Sequence, residues 1–197
     1  VSDLVQLAQR SGVFEADFVT KELGKIQELA LAMPYKYDGN AFTSGSKAAL
    51  NVFTRIDCPE RELISQMFFN KWKNNPLVLD NWFFFKASIE IDDNQKSIED
   101  LFNNEYFDFK SPNTLRSILN GYVTRNSLFH SIDGSGYEYI GEKIIKFDKS
   151  NPIIISRFLK IFSTFKKYKD PYKKQIYKVL NRIKENDLSP NSREVID

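Results

Sequence analysis

Two guanidinium groups are the strongest candidates for chemistry in this 197-residue chain. Arg116 closes the segment Ser111-Pro112-Asn113-Thr114-Leu115-Arg116, and Arg157 closes Asn151-Pro152-Ile153-Ile154-Ile155-Ser156-Arg157. In both, a residue able to cap a helix precedes a proline. Proline suits the first helical position because the amide it lacks would have no partner there. Each arginine then falls about a turn inside its helix, near the end where the helix dipole favours anions. A carboxylate is the ligand that would call for a cation at such a place. Guanidinium grips it through two parallel hydrogen bonds and keeps its charge when enclosed. A salt bridge to a neighbouring helix, or a cap on a loop carbonyl, is the structural alternative.

The remaining polar residues do not assemble a reaction centre. Only one histidine is present, His130, whereas a catalytic zinc usually takes three protein ligands including histidine. His130 sits just before a Gly-rich loop, where a structural hydrogen bond is the expected role. Cys58, the single cysteine, has no histidine in a recognisable pairing with it and reads as a buried or partly buried thiol. Asp133-Gly134-Ser135-Gly136 lacks the lysine and spacing of a phosphate loop and reads as a turn into a capped helix. Glu99 and Asp100 are adjacent, so a helix would send them to different sides. The expectation is no catalytic group and no metal ligand in this chain.

The elements that must position the arginines are helices. Six of the seven prolines follow a residue placed to start one, at Cys58-Pro59, Asn75-Pro76, Ser111-Pro112, Asn151-Pro152, Asp170-Pro171 and Ser189-Pro190. Apolar spacing predicts helices over residues 2–10, 14–33, 47–55, 59–73, 76–87, 97–102, 112–122, 137–147, 152–168 and 171–184, with a short turn after Pro190. In 59–73 the apolar face is Leu63, Ile64, Met67 and Phe68. Residues 76–87 are apolar enough to be buried on more than one side. Residues 89–92 alternate too briefly to found a sheet and read as a linker. The clearest loop is 34–46, a possible internal boundary in an otherwise single domain spanning 1–197.

The composition agrees. Apolar residues make up 42% and charged residues 27%, with 17 Phe and only 8 Gly, which is globular rather than disordered. No apolar run approaches the roughly 20 residues of a membrane helix. One cysteine fits a reducing compartment, and the expected location is cytoplasmic. The net charge of +2 is uneven: residues 141–197 hold 14 Lys and Arg against 7 Asp and Glu, leaving the first 140 residues at −5. A solvated helix face is the ordinary account of such a basic third.

From about Phe69 onward a series of short motifs follows in fixed order. They are Lys71-Trp72, Asn75-Pro76-Leu77-Val78-Leu79-Asp80-Asn81-Trp82-Phe83, Phe107-Asp108-Phe109, Pro112-Asn113 with Leu115-Arg116-Ser117-Ile118, Phe129-His130, Asp133-Gly134-Ser135-Gly136-Tyr137, Asn151-Pro152 with Ser156-Arg157-Phe158-Leu159, Tyr168-Lys169-Asp170 and Leu188-Ser189. In this order over some 120 residues they resemble the C-terminal domain of bacterial-type aminopeptidase N, the alanyl aminopeptidase class of zinc metallopeptidases. The first 55 residues match less clearly. The family usually has Asn-Pro-Asn-Arg where Ser111-Pro112-Asn113-Thr114 stands, and Gln-Val-Ala where Ile153-Ile154-Ile155 stands. The second change is apolar and bears on packing.

The resemblance implies an all-α domain of antiparallel helix pairs, a superhelical, bowl-like solenoid closing over a separate zinc-bearing catalytic domain of the same polypeptide. It implies a non-catalytic role: enclosing the chamber and limiting access to peptides whose N-terminal residues the parent enzyme removes. Zinc would belong to that other domain, with no cofactor in this chain. Two arginines that face the chamber in the family fall on Arg116 and Arg157, giving them a substrate-binding role toward the far carboxylate of a peptide. Neither a membrane nor a nucleic acid is an expected partner. An independent HEAT-like protein-interaction scaffold is the alternative. Nucleic-acid binding through Lys166-Lys167-Tyr168-Lys169 and Tyr172-Lys173-Lys174 is a further one.

Overall fold

The computed structural model describes residues 50–196 apart from Ile56, Pro59 and Asp92. The helices expected over 2–10 and 14–33 and the loop over 34–46 lie outside the described residues. The chain divides into two compact units, Val1–Ile89 and Glu90–Asp197. Among the described residues every regular element is helical and there is no strand, so the all-α expectation holds.

In the first unit, residues 50–53 are helical and are followed by α1 (Glu60–Trp72) and α2 (Pro76–Ala87), which pack on each other. Asn75 caps α2 as expected, its Oδ1 accepting from the Val78 amide at 3.4 Å with Pro76 in the first turn. Val78, Leu79, Trp82, Phe83 and Ala87 are buried, while Leu77 is exposed. The buried Trp82 indole donates to Ser65 Oγ at 2.9 Å and also reaches the Ser65 carbonyl, so its polar atom is satisfied inside the core. That bond explains one departure from the expected face of α1. Ile64 and Phe68 are buried, but Leu63 is 53% exposed because fully buried Ser65 takes the position under Trp82. Cys58 is half-buried and packs with Met67 against Val52, Phe53 and Ile64.

The second unit contains α3 (Asn94–Phe102), α4 (Pro112–Arg125), the 3-10 turn η1 (Ser127–His130), α5 (Ser135–Phe147), α6 (Pro152–Leu159), the 3-10 segment η2 (Lys160–Lys167), α7 (Tyr172–Lys184) and α8 (Pro190–Ile196). From η1 onward most sequence neighbours are also neighbours in space, as in a helical array. α5 packs on η1, α6 and α7; α7 packs on η2 and α8; α8 packs on α6. Leu115, Ile118, Leu119, Ile140, Ile144, Ile155, Phe162, Val179 and Ile183 are essentially inaccessible. Each such burial contributes roughly 1.5–3 kcal/mol.

Polar links fix these helices in register. Tyr139 and Lys143 of α5 both bond the Glu99 carboxylate of α3, Tyr139 at 2.8 Å, and the Lys143 ammonium lies over the Tyr139 and Phe102 rings. Burial, followed by repulsion from Lys146, draws the Lys143 ammonium down from its ordinary pKa, and the touching carboxylate opposes that shift. Glu138 binds Lys178 and Arg182, and Glu142 binds Arg182, joining α5 to α7. Asp148, buried just after α5, accepts from the Ser189 amide, from Ser189 Oγ at 2.9 Å and from Ser192 Oγ. The start of α8 is thereby tied to the end of α5.

The loop before α5 follows its sequence closely. Gly134 has φ 80, the left-handed region that favours glycine. Asp133 Oδ1 accepts from the Ser135 amide at 3.0 Å and from Ser135 Oγ at 2.8 Å, and this holds the Asp133 carboxyl below the usual carboxylate range. A Cβ on Gly136 would meet the Phe129 carbonyl and come within 2.7 Å of the Leu128 carbonyl, so only glycine lets η1 lie against α5. A turn into a helix is therefore what the Asp-Gly-Ser-Gly segment builds.

Boundaries differ from the sequence reading at several places, among them α5, which begins two residues earlier, at Ser135. α3 begins three residues earlier, at Asn94, and α4 runs on to Arg125. The continuous helix expected over 152–168 is α-helical only to Leu159 and tightens to a 3-10 segment over Lys160–Lys167. Residues 161–165, Ile-Phe-Ser-Thr-Phe, are weak helix formers. Phe162 of this segment is buried near Tyr137, ring centroids 6.3 Å apart.

Candidate functional site

The candidate site is built on α4, α6 and η2, all in the second unit. On α4, buried Leu115, Ile118 and Leu119 fix the inner face, which leaves Arg116 outward with Asn120 one turn on. On α6, buried Ile154, Ile155, Phe158 and Leu159 do the same, and Arg157 is exposed. Arg116, Asn120, Ile154, Arg157, Phe158 and Ile161 line one open cleft of about 180 Å³. The structure thus brings together the two arginines selected from sequence. It adds an amide and three apolar side chains that were not selected. Part of their signal was present as helical spacing: Asn120 is four residues from Arg116, and Ile154 and Ile161 lie three and four residues from Arg157, with Phe158 next to it.

The local design differs from the expected one in two respects. Ser111 and Asn151 precede their prolines as expected, but neither side chain caps its helix. Ser111 Oγ accepts from Thr114 Oγ1 at 3.3 Å, and Thr114, where the family usually has arginine, is buried. Asn151, also buried, donates through Nδ2 to the Phe109 carbonyl at 2.8 Å. This bond ties the start of α6 to the segment leading into α4. It therefore holds the two arginine-bearing helices together, a task more specific than capping. The second correction concerns the dipole. Arg157 lies in the last turn of α6 because the α-helix stops at Leu159, so the argument from a misplaced charge applies to Arg116 alone.

Arg116 Nη2 donates to Asn113 Oδ1 at 2.9 Å. Among the described residues neither guanidinium forms an ion pair, so the salt-bridge alternative is not realised there. Two cations over an apolar floor of Ile154, Phe158 and Ile161 suit an anion with an apolar body, such as the carboxylate end of a peptide.

His130 is engaged elsewhere. Its Nδ1 lies 2.7 Å from the Tyr137 hydroxyl, and the ring packs against Phe129 and Tyr168. Burial, with Tyr168 and Tyr172 nearby, pushes the Tyr137 hydroxyl up to about 12, so it stays protonated beside the imidazole. Among the described residues no three His, Cys, Asp or Glu side chains group as metal ligands, and these residues do not fit a zinc site.

The family described as "Domain of unknown function (DUF3458_C) ARM repeats" matches residues 23–197. The chain belongs to this ARM-repeat family. Aminopeptidase N of Haemophilus influenzae is 29% identical over 137 residues, covering 69% of this chain and 16% of that protein. Aminopeptidase N of Escherichia coli is 28% identical over 138 residues, covering 70% and 16%. The crystal structure of Legionella pneumophila aminopeptidase A in complex with aspartic acid superposes with a TM-score of 0.77 at 25% identity, covering 92% of this chain and 21% of that one. Together these bear out the resemblance to the C-terminal domain of aminopeptidase N. The chain corresponds to only about a sixth of the length of the two aminopeptidase N relatives.

Proposed function

We propose that this ARM-repeat chain is the non-catalytic C-terminal domain of a zinc-dependent alanyl aminopeptidase. In this reading it encloses the catalytic chamber, limits access to peptides and chain ends, and acts beside a catalytic domain of the same, cytoplasmic polypeptide. Zinc belongs to that domain and supplies the hydrolytic chemistry there. Arg116 and Arg157 line the chamber and meet the far carboxylate of a short peptide.

The observation that carries this reading is the cleft of the second unit, where two guanidinium groups share an apolar floor without a carboxylate partner among the described residues. A carboxylate bound in that cleft offsets the charge of the two guanidinium groups that line it. The test sets the isolated 197-residue chain beside the complete polypeptide, with alanine 4-nitroanilide and tetra-alanine as substrates. Only the complete polypeptide should release alanine, and its sequence upstream of Val1 should carry a His-Glu-x-x-His segment. Hydrolysis by the isolated chain, or a reading frame that begins near Val1 without that segment, contradicts the proposal.

A further inference from the structure

Lysines crowd the junction of η2 and α7 in a way the packing does not use. Lys166 and Lys167 end η2, Lys169 lies in the connection, and Lys173 and Lys174 stand in the first turn of α7. Among the described residues none of the five forms an ion pair. Asp170 is the one acidic residue between positions 160 and 178. The other half of α7 is different, since Lys178 is matched by Glu138 and Arg182 by Glu138 and Glu142 of α5. Where a cation of α7 serves packing, the fold supplies a carboxylate. Lys173 and Lys174 also oppose the dipole of their helix, which has no acidic residue in its first turn.

These lysines are connected to the cleft through η2. Ile161, near one end of η2, lines the cleft, and Lys166 and Lys167 form the other end. At about 2 Å rise per residue the separation along the axis is about 10 Å. That is comparable to the Debye length of about 10 Å at 0.1 M salt, and far inside the roughly 30 Å reached at 0.01 M. The field of Lys166 and Lys167 therefore reaches the cleft at low ionic strength.

We propose that Lys166, Lys167, Lys169, Lys173 and Lys174 form a cationic approach to the Arg116–Arg157 cleft that draws in peptides bearing extra carboxylates beyond their first residues. The inference rests on the peptide-chamber reading above and names a substrate class for it. Steering of this kind raises kcat/KM through the association rate and leaves the bond-breaking step unchanged.

The experiment uses the complete polypeptide and compares kcat/KM for Ala-Ala-Glu-Glu-Glu with that for Ala-Ala-Ala-Ala-Ala. At 20 mM salt the ratio should be roughly tenfold in favour of the acidic peptide, at the low end of electrostatic steering. It should fall to about one at 500 mM salt. Replacing the five lysines with glutamine, or only the pair Lys166→Glu and Lys167→Glu, should remove the preference at low salt. A ratio retained in both variants, or absent from the unmodified enzyme, overturns the proposal. Inhibition by polyuridylate at low salt, with no acidic-peptide preference, would assign the lysines to a phosphodiester chain and also overturn it. If Arg116→Ala with Arg157→Ala leaves peptide KM unchanged, the underlying reading fails. If that pair raises KM while the lysine variants keep the ratio, this inference alone fails.

Discussion

Arg116 and Arg157, singled out in the sequence, line one cleft, but the local reasons for singling them out hold only in part. Arg157 does not oppose its helix dipole, and Asn151 is a tether to Phe109 rather than a cap. Both facts depend on long-range packing that local spacing cannot carry. His130 was legible as a structural residue, and its bond to Tyr137 bears that out. Burial holds the His130 pKa below its ordinary 6.5. As pH falls, the unfolded chain takes up that proton first. The stability contributed by the neutral ring is whole above 6.5 and is lost as pH falls through the folded value. Urea denaturation between about pH 7.5 and about pH 5 should show a smaller loss of stability in His130→Gln than in the unmodified chain. Equal losses would place the pH dependence on other groups.

The helices were largely readable because their signals are local: Pro at helix starts, apolar residues at three and four, and Gly134 in its turn. The break between α6 and η2 was not, because neither Gly nor Pro stands between Leu159 and Lys167 to announce it. The Asp148 network was also missed, since its partners lie about 40 residues away and an acidic residue after a lysine helix reads as surface. Asp148→Ala should cost about 2–3 kcal/mol, as expected for buried hydrogen bonds to a charged group. Hydrogen exchange should accelerate over Pro190–Ile196 in that variant. A change below about 0.5 kcal/mol, ordinary for a surface substitution, would contradict its role in holding α8. Gly136→Ala tests a different join: it should separate η1 from α5 and destabilise the unit by a few kcal/mol through overpacking. Unchanged thermal unfolding would count against the close approach.

At the scale of the whole molecule, proline placement and apolar spacing pointed to the all-α architecture and motif order to the C-terminal domain of aminopeptidase N, while the ARM-repeat family and the division at Ile89–Glu90 were not read from the sequence. That division falls in the stretch read as a linker, although Ile89 itself is buried. The chain matches about a sixth of its aminopeptidase N relatives. The central claim is that a domain without catalytic groups still touches substrate through Arg116 and Arg157. The most direct measurement is KM of the complete polypeptide carrying Arg116→Ala and Arg157→Ala, for tetra-alanine and for alanine amide, which has no distant carboxylate. KM for tetra-alanine should rise roughly ten- to a hundredfold, the equivalent of losing hydrogen bonds to a charged group, with alanine amide unchanged. An equal effect on both substrates, or none on the tetrapeptide, would contradict the account.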